Sequence, residues 1–136
     1  MTRIIAGSAK GRTLKVPATG TRPTSDRVRE SVFNMLQHRL GTWSDLKVLD
    51  LYAGSGAYAL ESMSRGAHSA TVVDNARHAN EVLQHNAQQL GFTLRIVNRD
   101  VSKFVAQSAT EKSDVVFIDP PYEVANDIIT ELLQTL

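Results

Sequence analysis

The tetrapeptide Asp119-Pro120-Pro121-Tyr122 has the clearest chemical use in this sequence. An exocyclic amine on a nucleobase is a poor nucleophile, because its lone pair is delocalised into the ring. A catalyst must hold such an amine with acceptors that favour a localised pair. A carboxylate and a backbone carbonyl are two such acceptors. Two consecutive prolines lack N–H groups and stiffen the turn, so Asp119 and the Pro120 carbonyl stand in a fixed relation. Tyr122 adds an aromatic face on which an extruded base can stack. The competing reading is a Pro-Pro loop opened by a capping aspartate.

Asp50-Leu51-Tyr52-Ala53-Gly54-Ser55-Gly56 is the second constellation. Gly54 and Gly56 let the backbone approach a ligand closely above a helix N-terminus. Asp74, twenty residues after Gly54, can accept both hydroxyls of a ribose. A nucleoside-containing ligand follows from the pair. Gly54-Ser55-Gly56-Ala57-Tyr58-Ala59 also satisfies the dinucleotide pattern, so the motif by itself does not separate a nicotinamide cofactor from S-adenosylmethionine. Asp50 favours the latter. A carboxylate at the strand tip repels a pyrophosphate and attracts the amino group of a methionine moiety, although a helix-capping role would also place an aspartate here. Asp100, in Asn98-Arg99-Asp100-Val101, can accept from an adenine amino group or cap a helix. His38, His68, His78 and His85 show neither i, i+4 nor clustered spacing and read as surface or packing residues, so no metal is expected. Trp43 and Phe92 read as core or hinge contacts.

These residues need a scaffold that brings strand ends together, and the pattern of the chain supplies one. From Leu46 onward strands and helices alternate: Lys47 to Tyr52, Ser69 to Asp74, Thr93 to Val97 and Asp114 to Asp119 read as strands. Between them Ser55 to Arg65, Ala79 to Leu90 and Val101 to Ala109 read as helices, and Ala125 to Leu136 as one more. Such alternation calls for a parallel sheet covered by helices. Ahead of it, Arg3 to Ala6 and Thr13 to Val16 read as a hairpin around a Gly7 to Gly11 turn. Val28, Val32, Met35, Leu36 and Leu40 then recur at helical spacing from a Thr24/Ser25 start to a Gly41 stop, with Arg27, Arg29 and Glu30 on the polar side. The expected division is an extension of hairpin and helix over residues 1–42 and a sheet domain over 43–136.

The 136 residues are 42% hydrophobic and 21% charged with no cysteine, which suits one domain in a reducing, cytosolic setting and excludes disulfide or thiolate-zinc scaffolds. Apolar runs such as Val115 to Ile118 are far short of a membrane span, and Met1 to Lys10 lacks the apolar stretch of a signal peptide. The net charge of +1 conceals an asymmetry, with nine Lys/Arg against four Asp/Glu in residues 1–50 and six against ten thereafter. Residues 1–22 carry Arg3, Lys10, Arg12, Lys15 and Arg22 and no acid. Such a segment is an electrostatic footprint for a polyanion, or else a solvated face.

The chain resembles the bacterial RsmD-like family, which methylates the N2 of a guanine in 16S ribosomal RNA with S-adenosylmethionine. The likeness runs from Arg3-Ile4-Ile5-Ala6-Gly7 and Gly11-Arg12 through Arg22-Pro23-Thr24-Ser25-Asp26-Arg27-Val28-Arg29-Glu30, Asp50 to Gly56 and Leu60-Glu61, to Asp119-Pro120-Pro121-Tyr122. The resemblance implies a Rossmann-like α/β methyltransferase sheet preceded by a basic hairpin and helix. It implies Asp50, Ala53, Gly54, Gly56, Asp74 and Asp100 at the cofactor and Asp119, Pro120 and Tyr122 at methyl transfer, with 16S rRNA or the small subunit as partner and a monomeric, cytoplasmic protein. Two departures stand out. The family commonly has glutamate where this chain has Asp74, and its sheet has seven strands where this sequence ends after the fourth and its helix. The fourth strand is then expected to be an exposed hydrophobic edge on a domain truncated at its C-terminus. Other readings are a DNA adenine N6-methyltransferase, an incompetent RNA-binding fragment and, disfavoured by Asp50, a nicotinamide oxidoreductase.

Overall fold

A computed structural model describes residues 2–16, 25–107 and 112–120. In chain order they form β1 (Thr2–Arg3), β2 (Thr13–Leu14), α1 (Asp26–Leu40), β3 (Lys47–Leu51) and α2 (Ala57–Ser64). β4 (Ser69–Val73), α3 (Arg77–Leu90), β5 (Arg95–Val97), α4 (Val101–Gln107) and β6 (Val115–Ile118) follow. The strand expected over Asp114 to Asp119 is thus β6, and the helix expected over Ala125 to Leu136 lies outside the described residues.

β3 to β6 form one parallel sheet in the order β5-β4-β3-β6. The chain steps outward from β3 through β4 to β5 and then returns to the other side of β3 as β6. The carboxyl ends of β3 and β6 therefore flank the point where strand order reverses, which is where open α/β sheets bind ligands. Register makes the convergence specific. Asp50 pairs with Val72 on one side and Phe117 on the other, and Asp74 and Asp119 each stand two residues beyond those partners. With the two-residue period of a strand, all three carboxylates fall on the same face of the sheet.

Each face of the sheet carries a core. On the α2 side, Phe33, Trp43, Val48, Val72 and Phe117 are buried together, and on the α4 side Leu49, Leu51, Val73, Val101 and Phe104. Trp43 is the core residue expected, and Phe92 packs half-buried beside Ile4 and Leu14. The Phe33 ring of α1 lies 5.4 Å from both Trp43 and Phe117, and Tyr58 of α2 stacks on Phe117 at 4.7 Å. α1 is thereby fastened to β6 beneath α2. Its ends are those expected: the Ser25 hydroxyl accepts from the Val28 N–H at 3.2 Å, and Gly41 closes the helix at φ 76°. β6 pairs with β3, and Val116 on it is 36% exposed among the described residues.

The hairpin is shorter than its sequence pattern. Ladder pairing is confined to Thr2↔Leu14 and Arg3↔Thr13; Ile4 still bonds across to Arg12 and Gly11, while the amides of Ile5, Ala6 and Lys15 are taken by side chains of the sheet domain. Glu61 of α2 accepts from Ile5 N–H at 2.8 Å and Ala6 N–H at 3.0 Å, and Asn86 of α3 accepts from Lys15 N–H at 2.9 Å. Ser64 accepts from Ala9 N–H at 2.9 Å and donates to the Ala6 carbonyl at 2.6 Å. A Cβ on Gly7 would lie 2.0 Å from the Ser64 carbonyl oxygen, so this close approach needs glycine.

The placement of Arg29 on a polar helix side is overturned. Its side chain is wholly buried, donates to the Arg3 carbonyl and to Asp26 Oδ1 at 3.0 Å, and lies 4.0 Å from Glu61 Oε1. The hairpin covers this face of α1, and helical periodicity alone carries no record of that cover.

Candidate cofactor and substrate site

After Leu51 the backbone turns sharply. Tyr52 and Gly54 have φ of 60° and 57°, and Gly56 caps α2 at φ 82°. Left-handed backbone at a tyrosine costs on the order of 1–3 kcal/mol and collects at ligand sites. Two bonds fix the turn against β4: Ala53 N–H donates to the Val73 carbonyl at 3.2 Å, and Gly54 N–H to Asp74 Oδ2 at 3.0 Å. The other oxygen of Asp74 accepts from Ala76 N–H at 2.8 Å, so the carboxylate is aimed from both sides. A Cβ on Gly56 would meet Leu83 Cδ2 at 2.7 Å, a second place where only glycine fits.

Asp50 is buried beneath the first turn of α2, where its Oδ2 accepts from Ala59 N–H at 3.2 Å. The capping role weighed for it is therefore real. Burial pushes its pKa up to about 8; the Ala59 bond opposes that, and the charges of Asp119 and Asp74 add to it. A buried acid with two acidic neighbours favours a cation, whose charge stabilises its ionised form. Asp119 is exposed and Pro120 half-buried at the end of β6. Asp100 caps α4, its Oδ1 accepting from Lys103 N–H at 3.1 Å. The Tyr52 hydroxyl is held above its usual pKa range, first by burial and then by the Asp100 charge, which links Asp100 to the turn after β3.

The fold thus gathers Asp50, Ala53, Gly54, Gly56, Asp74 and Asp119 at one sheet edge, with Asp100 reached through Tyr52. Tyr122 and Arg22 lie outside the described residues. Arg3, Lys10, Arg12 and Lys15 are exposed on or beside the hairpin. Arg3 is 3.6 Å from Asp26, and Arg12 Nη2 donates to the Gln89 carbonyl at 2.9 Å, leaving Lys10 and Lys15 without a described ion pair. Among the described residues no group of three His, Cys, Asp or Glu has the arrangement of a metal site. The N–H groups of Gly54, Gly56 and Ala59 already serve Asp74, the Ala53 carbonyl and Asp50. Three acidic side chains at this end of the sheet disfavour a pyrophosphate and suit a cationic, hydroxyl-bearing ligand.

Sequence reasoning passed over Glu61 and Asn86 as working residues. Both had a signal. Asn86 occupies a core position in an otherwise apolar helical series, and a polar residue there must find buried partners. Glu61 lies in α2 between Leu60 and Ser62, all three buried, with no polar face to explain it.

Residues 2–136 match the family model described as Conserved hypothetical protein 95. The chain belongs to this, the RsmD-like family. Ribosomal RNA small subunit methyltransferase D of Escherichia coli K12 is 43% identical over 122 residues, which is 88% of this chain and 60% of that protein. The protein of the same name from Haemophilus influenzae is 36% identical, over 88% of this chain and 63% of its own length. The chain thus spans about three fifths of the RsmD-like proteins that it matches here. A hypothetical protein of Thermus thermophilus has the same fold with a TM-score of 0.89 and 35% identity, covering 99% of this chain and 78% of that structure.

Proposed function

We propose that this chain holds S-adenosylmethionine at the carboxyl edge of its sheet and belongs to a protein that methylates the exocyclic N2 amine of a guanine in 16S rRNA. The observation that carries this reading is the convergence of Asp50, Asp74 and Asp119 beside a left-handed glycine turn in which the Gly54 N–H already serves Asp74. The E. coli and H. influenzae relatives, by their names methyltransferases of small-subunit ribosomal RNA, support the substrate class.

When bound, this cofactor supplies an electrophilic methyl group. Asp50 receives the ammonium of the methionine moiety, which restores charge to a carboxyl that burial keeps protonated. Asp74, held between the Gly54 and Ala76 amides, accepts from the ribose hydroxyls with its remaining lone pairs, and being one methylene shorter than glutamate it needs the ribose closer. Ala53, Gly54 and Gly56 let the ligand lie against the backbone. Asp100 offers Oδ2 to the adenine amine while Oδ1 caps α4. Asp119 and the Pro120 carbonyl accept from the guanine amine and turn its lone pair toward the methyl group, and Tyr122 stacks on the base. Arg3, Lys10, Arg12, Lys15 and Arg22 meet rRNA phosphates.

Calorimetric titration with S-adenosylmethionine and with NAD, followed by transfer of labelled methyl groups to naked rRNA, small ribosomal subunits and DNA, tests the reading. Binding of the first ligand alone and labelling of guanine N2 in rRNA or subunits is expected. NAD binding, or labelling of DNA adenine, overturns it.

A further inference from the structure

The side chain of Asn86, on α3 and 2% exposed, makes three hydrogen bonds. Its Oδ1 accepts from Lys15 N–H at 2.9 Å, and its Nδ2 donates to the Lys15 carbonyl at 2.9 Å and to the Ser55 carbonyl at 2.9 Å. Both main-chain groups of one hairpin residue are therefore joined, through a single amide, to the middle of the Gly54-Ser55-Gly56 turn. From this bridge we infer that Asn86 is a positioning residue that couples occupancy of the cofactor turn to the order of the basic hairpin. The inference rests on the functional reading above.

The physical basis is the scarcity of alternatives. The amide is buried, and freeing any of its partners leaves a desolvated donor or acceptor, so the three bonds form and break as a set. A ligand that orders the turn at Ser55 also removes the motions in which Asn86 releases it, and the same motions release Lys15. Coupling of this kind is reciprocal: an RNA that fixes the hairpin raises affinity at the turn by the factor with which the cofactor raises affinity for RNA.

Hydrogen exchange of the whole chain, with and without saturating S-adenosylmethionine, tests this directly. The Lys15 amide should exchange at least about threefold more slowly with ligand, while the Ile4 amide, which bonds within the hairpin to the Arg12 carbonyl, changes less. In Asn86→Ala that difference should vanish, with cofactor affinity several-fold weaker at a temperature where the variant is folded. A wild-type protein that binds the ligand yet leaves Lys15 exchange unchanged overturns the inference and spares the functional reading. Failure of the wild type to bind the ligand overturns the functional reading instead. If Asn86→Ala does not fold, the wild-type comparison still decides.

Discussion

Glu61 Oε1 and Arg29 Nε lie 4.0 Å apart with both side chains wholly out of solvent, at the junction of hairpin, α1 and α2. Glu61 also accepts from Arg65 Nε at 2.9 Å and from two hairpin amides. Removing one member of a buried ionic group strands the others, which costs about 3–5 kcal/mol. Glu61→Ala should therefore lose that much in urea unfolding. A loss under about 1 kcal/mol would show that the hairpin is held by its apolar contacts alone.

Asp50 predicts a pH dependence. Its folded pKa of about 8 is above the 3.8 of an ordinary aspartate, so between these values the folded protein binds the extra proton and unfolding releases it. Its contribution to stability is whole below about pH 4 and is lost as pH rises through about 8. Asp50→Asn should flatten this component of a stability-against-pH curve. A curve of unchanged slope in the variant would count against a protonated Asp50.

The same proton should appear on ligand binding. If an ammonium restores the Asp50 charge, calorimetry at about pH 6 in buffers of different ionisation enthalpy should show about one proton released per S-adenosylmethionine bound. Asp50→Asn should show none.

Asp119 and Asp74 should separate chemistry from binding. Asp119→Ala is expected to abolish methyl transfer with cofactor affinity within a few fold of wild type. Asp74→Ala should weaken cofactor binding by about 1.5–3 kcal/mol, the range for hydrogen bonds to a charged group. Near-normal turnover in the first, or unchanged affinity in the second, would reassign these roles.

The hairpin charges are tested by salt. Neutralising Lys10, Arg12 and Lys15 together should weaken RNA binding and flatten its dependence on salt, because fewer counterions are released. Since Arg12 donates to Gln89, Lys10 and Lys15 should account for most of the change. Identical slopes in wild type and triple variant would make the charges a solvated face.

Local signals in the sequence carried the parallel sheet well. Strands β3, β4 and β6 fall within one or two residues of the alternation that indicates them, since buried β-branched runs bounded by Gly, Asp and Pro have few other uses. The ends of α1 were equally readable from Ser25 and Gly41. What stayed hidden depends on partners distant in sequence. Ile5, Ala6 and Lys15 leave the hairpin ladder for Glu61 and Asn86, 55 to 71 residues away, and Arg29 is covered by a segment 26 residues upstream. At the site, the acidic strand ends were visible as residues, whereas their placement on one sheet face needed the register of β3 with both neighbours.

The separation between Lys15 and Asn86 also sets an order of events during synthesis. At the usual rate of roughly 5–20 residues per second, the hairpin waits about 4–14 s after its own completion before the amide that fastens it has been made. Ile4 and Leu14, buried in the folded chain, have no α2 or α3 to cover them in that interval. A bare two-stranded ribbon with apolar residues invites pairing with other chains, and flanking lysines and arginines are the usual protection. The acid-free run that carries Arg3, Lys10, Arg12 and Lys15 places such charges beside the ribbon throughout that interval.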